Sequence, residues 1–495
     1  MAQVVTQHGA TSAYRRAAVG FGVLDGVRAC VAATPGPTRA TLLLRVGVAD
    51  ETPRTRGFAR LGLAAAIAQS GVAPCVEVGV LTTRVTFEGP TAADEVGRLT
   101  EALGRPTPAA IAAAREALLA APAVCEPAGA VLRLRAGLQG WGLLGLPELG
   151  LHRTEPDAVQ EWWAGRAVTG QAVIVITGAN PGMVRLRLPA GPTRGLPATP
   201  GALGSGPRVR SGSDDELRLG AVLPGDACTA ALAATIAHEV DARLGAAGVV
   251  QVTTDRVAAE ERHLLVTAES GPSARRAGAV VAGVLDDVRC GEVGTDGLDR
   301  LRGAMTRRVM EPTAPDLETQ ALEAAEAALL GLPAAPSPMA FLQELREGVG
   351  LADVRQRWEV ARAGLTGVVP AAVRALYPAD GPARVIPPVI VVGSTFPGRS
   401  RRAVVVGEDG VAWRERGRQS EMLSAFECAV AERRPGGRWM LHALDGRALR
   451  LDAGEWRRSA QLDEALRRLV GADRLVEVDS GTGPRRARRA ARRTD

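Results

Sequence analysis

Five histidines, at positions 8, 152, 238, 263 and 442, are the first candidates for chemistry in this chain. Imidazole is both a common metal ligand and a common general base, and either role needs a second group at a fixed spacing. Only His238 has a suggestive neighbour. His238-Glu239 in IAHEVDARLG begins like H-E-x-x-H, the zinc helix whose two histidines lie one turn apart. Position 242 is Ala, so the second ligand is missing and the pair reads as a helix-surface His beside a Glu. His152 and His263 have no partner in sequence and read as structural, while His442 could face either side of a sheet. The six cysteines, at 30, 75, 125, 228, 290 and 428, form no C-x-x-C and read as reduced, buried small hydrophobes. No G-x-S-x-G is present, which excludes one familiar serine hydrolase. Every one of the 60 basic residues is Arg, the codon signature of a GC-rich bacterial genome. Without lysine there is no P-loop lysine, no Schiff base and no lysine general base. The Gly-rich stretch 201–212 has neither the strand before it nor the helix after it that a phosphate loop needs.

The elements that must position any site come from a long chain. At 495 residues it exceeds one ordinary core, so three or more domains are expected. Hydrophobic residues make up 46% but aromatics only 3%, so the cores must be built from Ala, Val and Leu. Net charge is +6, of which residues 481–495, with six Arg and one Asp, supply +5. The body is therefore about neutral, and the basic balance of the chain is no evidence for a nucleic-acid face on it. The Arg-rich tail reads as a disordered solubilising end, with an acidic partner or a nucleic-acid contact as the lesser reading. No apolar run reaches about 18 residues and no secretory leader is evident, so no membrane span and a cytoplasmic location are expected.

Periodicity divides the chain. Residues 20–189 form a first unit. Strands are expected at 27–32, 42–48, 76–87 (one or two) and 172–178, with helices at 58–69, 108–121 and 156–166. Residues 190–214, rich in Gly, Pro, Ser and Thr, read as a linker. Residues 215–388 repeat the pattern. Strand 216–223 leads to helix 227–244, a hairpin of 249–254 with 263–268, helices at 272–288 and 297–309, then helix 370–377 and strand 383–389. Residues 390–479 differ, with short strands at 403–406, 411–414, 439–444 and 448–451 and a helix at 461–469. A small sheet closed by a C-terminal helix resembles a pleckstrin-homology-like barrel.

The segment from Leu42 to Ala65, LLLRVGVADETPRTRGFARLGLAA, carries a wider resemblance. Its strand, acidic turn (Asp50-Glu51) and Gly57-led helix resemble the zinc-site segment of the insulinase and mitochondrial processing peptidase family, the inverzincins. In that family the helix bears H-x-x-E-H: two histidines hold zinc and the Glu is the general base. Those three places fall here on Arg60, Leu63 and Ala64, none of which can ligate zinc or accept a proton at neutral pH. The family's third ligand, a Glu on a later helix, falls near Ala120 and Ala121, with Glu116 alone on that helix. A second-domain Arg and Tyr, R-x(6)-Y, stabilise the family's oxyanion. They fall on Asp241 and Gly248, leaving Arg243 as a weak substitute two residues late.

The resemblance implies an α+β protein. Two tandem α/β-sandwich peptidase-like domains, each a mainly antiparallel sheet with helices on one face, would precede the small β-rich domain. It further implies a catalytically dead chain that binds no zinc. Its expected role is the non-catalytic subunit of a heterodimeric metallopeptidase, helping an active, zinc-bearing homologous subunit enclose an extended peptide substrate. The alternative is a stand-alone structural or peptide-binding module with no proteolytic partner.

Overall fold

The computed structural model describes residues 19–121, 127–178, 184–197, 206–212, 216–245, 250–257, 260–268, 273–332, 336–377, 390–393, 402–407, 410–415, 418–456 and 458–478. His8, Cys125, Gly248, strand 383–389 and the tail 481–495 lie outside them.

In the first unit, β1 (Val19–Leu24), β2 (Val27–Ala33), β3 (Arg39–Leu44), β4 (Cys75–Val78), β5 (Thr83–Glu88) and β6 (Ala172–Gly178) make one sheet in the order β1-β2-β6-β3-β5-β4. Its helices are α1 (Phe58–Ser70), α2 (Ala92–Gly104), α3 (Pro108–Ala120), α4 (Pro127–Ala136) and α5 (Pro156–Ala164). In the second, β7 (Arg208–Gly212), β8 (Leu217–Pro224), β9 (Val250–Arg256), β10 (Glu261–Ala268) and β11 (Thr366–Pro370) form the order β7-β11-β8-β10-β9. Its helices are α6 (Ala227–Leu244), α7 (Ser273–Cys290), α8 (Asp296–Met310), α9 (Ala314–Leu330), α10 (Pro338–Glu347) and α11 (Leu351–Ala363). Without β1 the two sheets match strand for strand. β2 and β6 are parallel, as are β7 and β11, and every other neighbour pair is antiparallel.

Strand alternation explains how each sheet is covered. Leu42 and Leu44 of β3 and Ile174 and Ile176 of β6 face the main helix layer, where α1 contributes Leu61 and Leu63. Leu43, Val173, Val175, Cys30 and Ala32 face the other way. That second face is covered by α9 of the second unit, through Ala321, Ala325 and Leu329 at i, i+4 and i+8. The exchange is reciprocal. On the second sheet, Leu217, Leu219, Ala221 and Leu223 face their own helices, and α4 of the first unit lies across the opposite face. There Arg135 of α4 donates to the Gly364 carbonyl (3.3 Å) and Arg208 donates to the Leu134 carbonyl (3.5 Å). Each sandwich thus has its helices mainly on one face and a single borrowed helix on the other.

The last unit has two four-stranded sheets. One is the meander β12 (Ile390–Gly393), β13 (Arg402–Gly407), β14 (Gly410–Glu415), β15 (Arg418–Ser424). The other contains β16 (Cys428–Arg434), β17 (Arg438–Ala443) and β18 (Ala448–Asp452). After helix α12 (Ser459–Val470), β19 (Leu475–Glu477) joins it parallel to β16. Leu462, Leu466 and Val470 of α12 close a core around Trp439, Leu441 and Val411.

Several expectations need correction. Residues 208–212, placed in the linker, form edge strand β7, which shows only Val209 as a deeply buried apolar side chain. The linker's start is pinned rather than loose, since Thr169 and Gly170 donate to the Pro189 and Gly191 carbonyls (2.9 and 3.1 Å). Strand 366–370, hidden by Gly367 and Pro370, closes the second sheet, and the helix expected at 370–377 is only a 3-10 segment, Ala371–Leu376. Strand β1, outside the expected strands, pairs with β2 through Asp25-Gly26, a two-residue hairpin turn with both residues at positive φ (49° and 81°). Cys30 and Cys428 are buried, and burial pushes their thiols up to about 12 and about 11, but Cys75 and Cys290 are exposed.

Candidate functional site

Helix α1 is positioned by a buried carboxylate. Gly57, at φ 106°, turns the chain into the helix without a capping side chain of its own. The job falls to Glu51, whose Oε1 accepts from the Gly57 and Ala59 amides (3.0 and 2.8 Å). Its Oε2 pairs with Arg56 at 3.0 Å, and Arg56 Nε donates to the Leu143 carbonyl at 2.9 Å. Burial pushes the Glu51 carboxyl up while Arg56 and the two amides pull it back. The preceding turn repeats the theme: Asp50 pairs with the buried Arg45 (3.1 Å) and accepts from the Gly47 amide (3.1 Å).

The three motif positions have separate fates. Arg60 pairs with Glu148 at 3.1 Å, and Glu148 also stands 3.8 Å from Arg56. Leu63 is 1% exposed and belongs to the core between sheet and helices. Ala64 is half-buried and packs against the same core. Glu116, Ala120 and Ala121 on and beside α3 are exposed, so the expected source of a third ligand supplies none. The carboxylate brought to the motif positions of α1 is Glu148, just ahead of the 3-10 segment Leu149–His152, and sequence periodicity gives no signal for it. A guanidinium held between α1 and Glu148 would repel a dication, and a leucine there offers no lone pair. These residues do not fit zinc. Among the described residues no group of three or more His, Cys, Asp and Glu could hold a metal ion.

The second predicted locus is equally changed. Asp241 is exposed near the end of α6, and Gly248 lies outside the described residues. Arg243 is engaged by Asp287 at 2.6 Å and Glu239 at 3.4 Å, so it serves to tie α6 to α7. His238 is more buried than a surface residue, its side chain 14% exposed with Nε2 3.7 Å from Asp296. His263 is fully buried on β10 under α4, neither ring nitrogen hydrogen-bonded. Burial, with Arg135 adding, lowers it to about 3.

No protein-family model matches the sequence, and no curated protein matches it. Solved structures do. The first half of the periplasmic protease PqqL from Escherichia coli superposes with a TM-score of 0.51 at 13% identity, over 72% of this chain and 93% of that one. Whole PqqL gives 0.54 at 12%, over 80% of this chain and 55% of that one. The peptidase M16 inactive domain from Pseudomonas fluorescens gives 0.51 at 12%, over 71% and 97%. This chain has the fold of the M16, insulinase/pitrilysin-type peptidases. It spans about half the length of whole PqqL. On α1 the positions that sequence reading set against the zinc motif hold an ion-paired arginine, a core leucine and an alanine. Among the described residues no helix is long and apolar enough to cross a membrane.

Proposed function

We propose that this chain is a non-catalytic, peptidase-like subunit. In this reading an active homologue carries zinc in H-x-x-E-H, and this chain helps close a chamber around an extended peptide. The observation that carries it is the Arg60–Glu148 pair, with Leu63 buried beside it, on a helix of an M16-type fold. The reciprocal α4 and α9 packing supports it further. Two units locked side by side cannot close on one another, so closure needs a second body. Main-chain pairing along a sheet edge requires no particular side chain, so peptide binding can outlive the loss of ligands.

The test is direct. The purified chain alone should contain far less than one zinc per chain and leave peptides intact. A mixture with an H-x-x-E-H homologue encoded beside it should hydrolyse peptides and sediment as a heterodimer. Its interface should exceed about 1,600 Å² in total, the usual size for stable complexes. Hydrolysis by the isolated chain would end this reading. A second reading, a stand-alone structural or binding module, is favoured by the seating of the last unit against the loop that supplies Glu148, which covers that surface within the chain itself. Failure to associate with any encoded homologue would select it.

A further inference from the structure

The last unit is seated on the first by one face of its second sheet. On β16 and β19, Val430 and Val476 point away from their own core and pack against Val48, Leu138, Leu143, Leu146 and Leu149 of the first unit. Val78 of edge strand β4 borders the same cluster. Polar ties surround this seat. The Leu138 amide donates to the Leu444 carbonyl (2.9 Å), and Arg153 donates to the carbonyls of Asp473 and Ala472 (3.1 and 2.9 Å). Gly446 lies so close to Arg133 of α4 that a Cβ there would collide with the Arg133 carbonyl oxygen. The loop so covered is the one whose Leu143 carbonyl holds Arg56 and whose Glu148 holds Arg60.

The same sheet face contains a buried acid–base pair. Pairing puts His442 opposite Val430, and Glu432 opposite Val476, so all four side chains share the docked face. His442 Nε2 and Glu432 Oε1 are 2.7 Å apart, and both residues are almost fully buried. Arg434 pairs with the other oxygen of Glu432 at 2.8 Å. The charged groups facing His442 are Glu432 and Arg434 from β16 and Arg133 from α4, while β18 opposes it with Ala448. His442 Nδ1 has no hydrogen-bond partner. A second proton there would place a buried N–H without an acceptor in a site that already holds two guanidinium groups.

We propose that the last unit is a reversible cover over the apolar surface beside α1, docked while the buried His442 beside Glu432 is neutral and released on acidification. The sign follows from the geometry. Burial, with Arg133 and Arg434 adding to it and Glu432 opposing, holds docked His442 below its ordinary value. Once undocked it returns towards about 6.5. A group depressed in the docked state favours docking above its free value and opposes it as pH falls. Each pH unit below about 6.5 therefore shifts the docked-to-undocked ratio by up to about tenfold. Burial raises the Glu432 carboxyl, but His442 and Arg434 outweigh it and keep it low, so Glu432 stays ionised through this window.

Hydrogen exchange on the full chain at pH 7.5 and 5.5, expressed as protection factors, tests this without reference to any partner subunit. Residues 138–149 should lose protection by about tenfold at pH 5.5, while β3, α1 and β16, whose amides bond within their own sheets and helix, keep theirs. His442→Gln and His442→Phe, which take up no proton, should show no such loss. Unchanged protection in the parent chain, or the same loss in either folded variant, overturns the proposal.

Discussion

Replacing Glu51 by Gln isolates the ion pair that organises α1. The amide oxygen of Gln can still accept from Gly57 and Ala59, so the helix start keeps its acceptor. What disappears is the negative charge facing Arg56. Arg56 is 7% exposed, and its nearest other carboxylate, Glu148, is 3.8 Å away and already paired with Arg60. Breaking a buried pair by removing one partner costs about 3–5 kcal/mol. Partial takeover by Glu148 and the bond from Arg56 to Leu143 place the cost near the lower end, about 3 kcal/mol. For a cooperative unit of this size that corresponds to a fall in Tm of roughly 6–12 °C. Calorimetry reads the fall in Tm, and exchange protection in α1 assigns it to this pair. The double variant Glu51→Gln/Arg56→Met should recover much of the loss, because the orphaned charge leaves with Arg56. A single variant within about 0.5 kcal/mol of the parent would mean the pair is not what holds α1, and the reasoning would fail.

Two further outcomes follow from packing and titration. Gly62→Ala should destabilise the first unit by at least about 1–3 kcal/mol, because its Cβ would overlap the Trp163 ring. That overlap would also disturb the bond from Trp163 Nε1 to the Phe58 carbonyl (2.9 Å), and thermal melting with near-ultraviolet dichroism reads both changes. His263, lowered from 6.5 to about 3 by burial, contributes stability that is complete above about pH 6.5 and is lost as pH falls towards 3. The loss is about 1.4 kcal/mol per pH unit, or about 2 kcal/mol at pH 5. Denaturation of a His263→Leu variant should show a flatter acid limb, and an unchanged slope would remove His263 as its cause.

Much of the fold was legible because its signals are local. The alternation in 216–223 and the apolar run 172–178 carry their own periodicity. What stayed hidden depends on distant partners. Strand β7 is a strand only because β11 lies beside it, 158 residues later at its first aligned pair. Helix α4 has no strong apolar stripe, since it is held between two units rather than on one. At the site, the three motif positions could be read as unfit for zinc from residue types alone. Glu148 could not be found that way, because an irregular turn delivers it to Arg60.

The borrowed helices also bear on synthesis. Strand β6 is the last of the first sheet to leave the ribosome, yet that sheet keeps one apolar face bare until α9 follows, about 150 residues later. At roughly 5–20 residues per second this is a wait of about 8–30 s, during which Leu43, Val173 and Val175 are uncovered on the nascent chain. The first unit is therefore born dependent on the second, and a chain cut short before Leu330 would present a sticky half-finished sheet to chaperones rather than a smaller working protein.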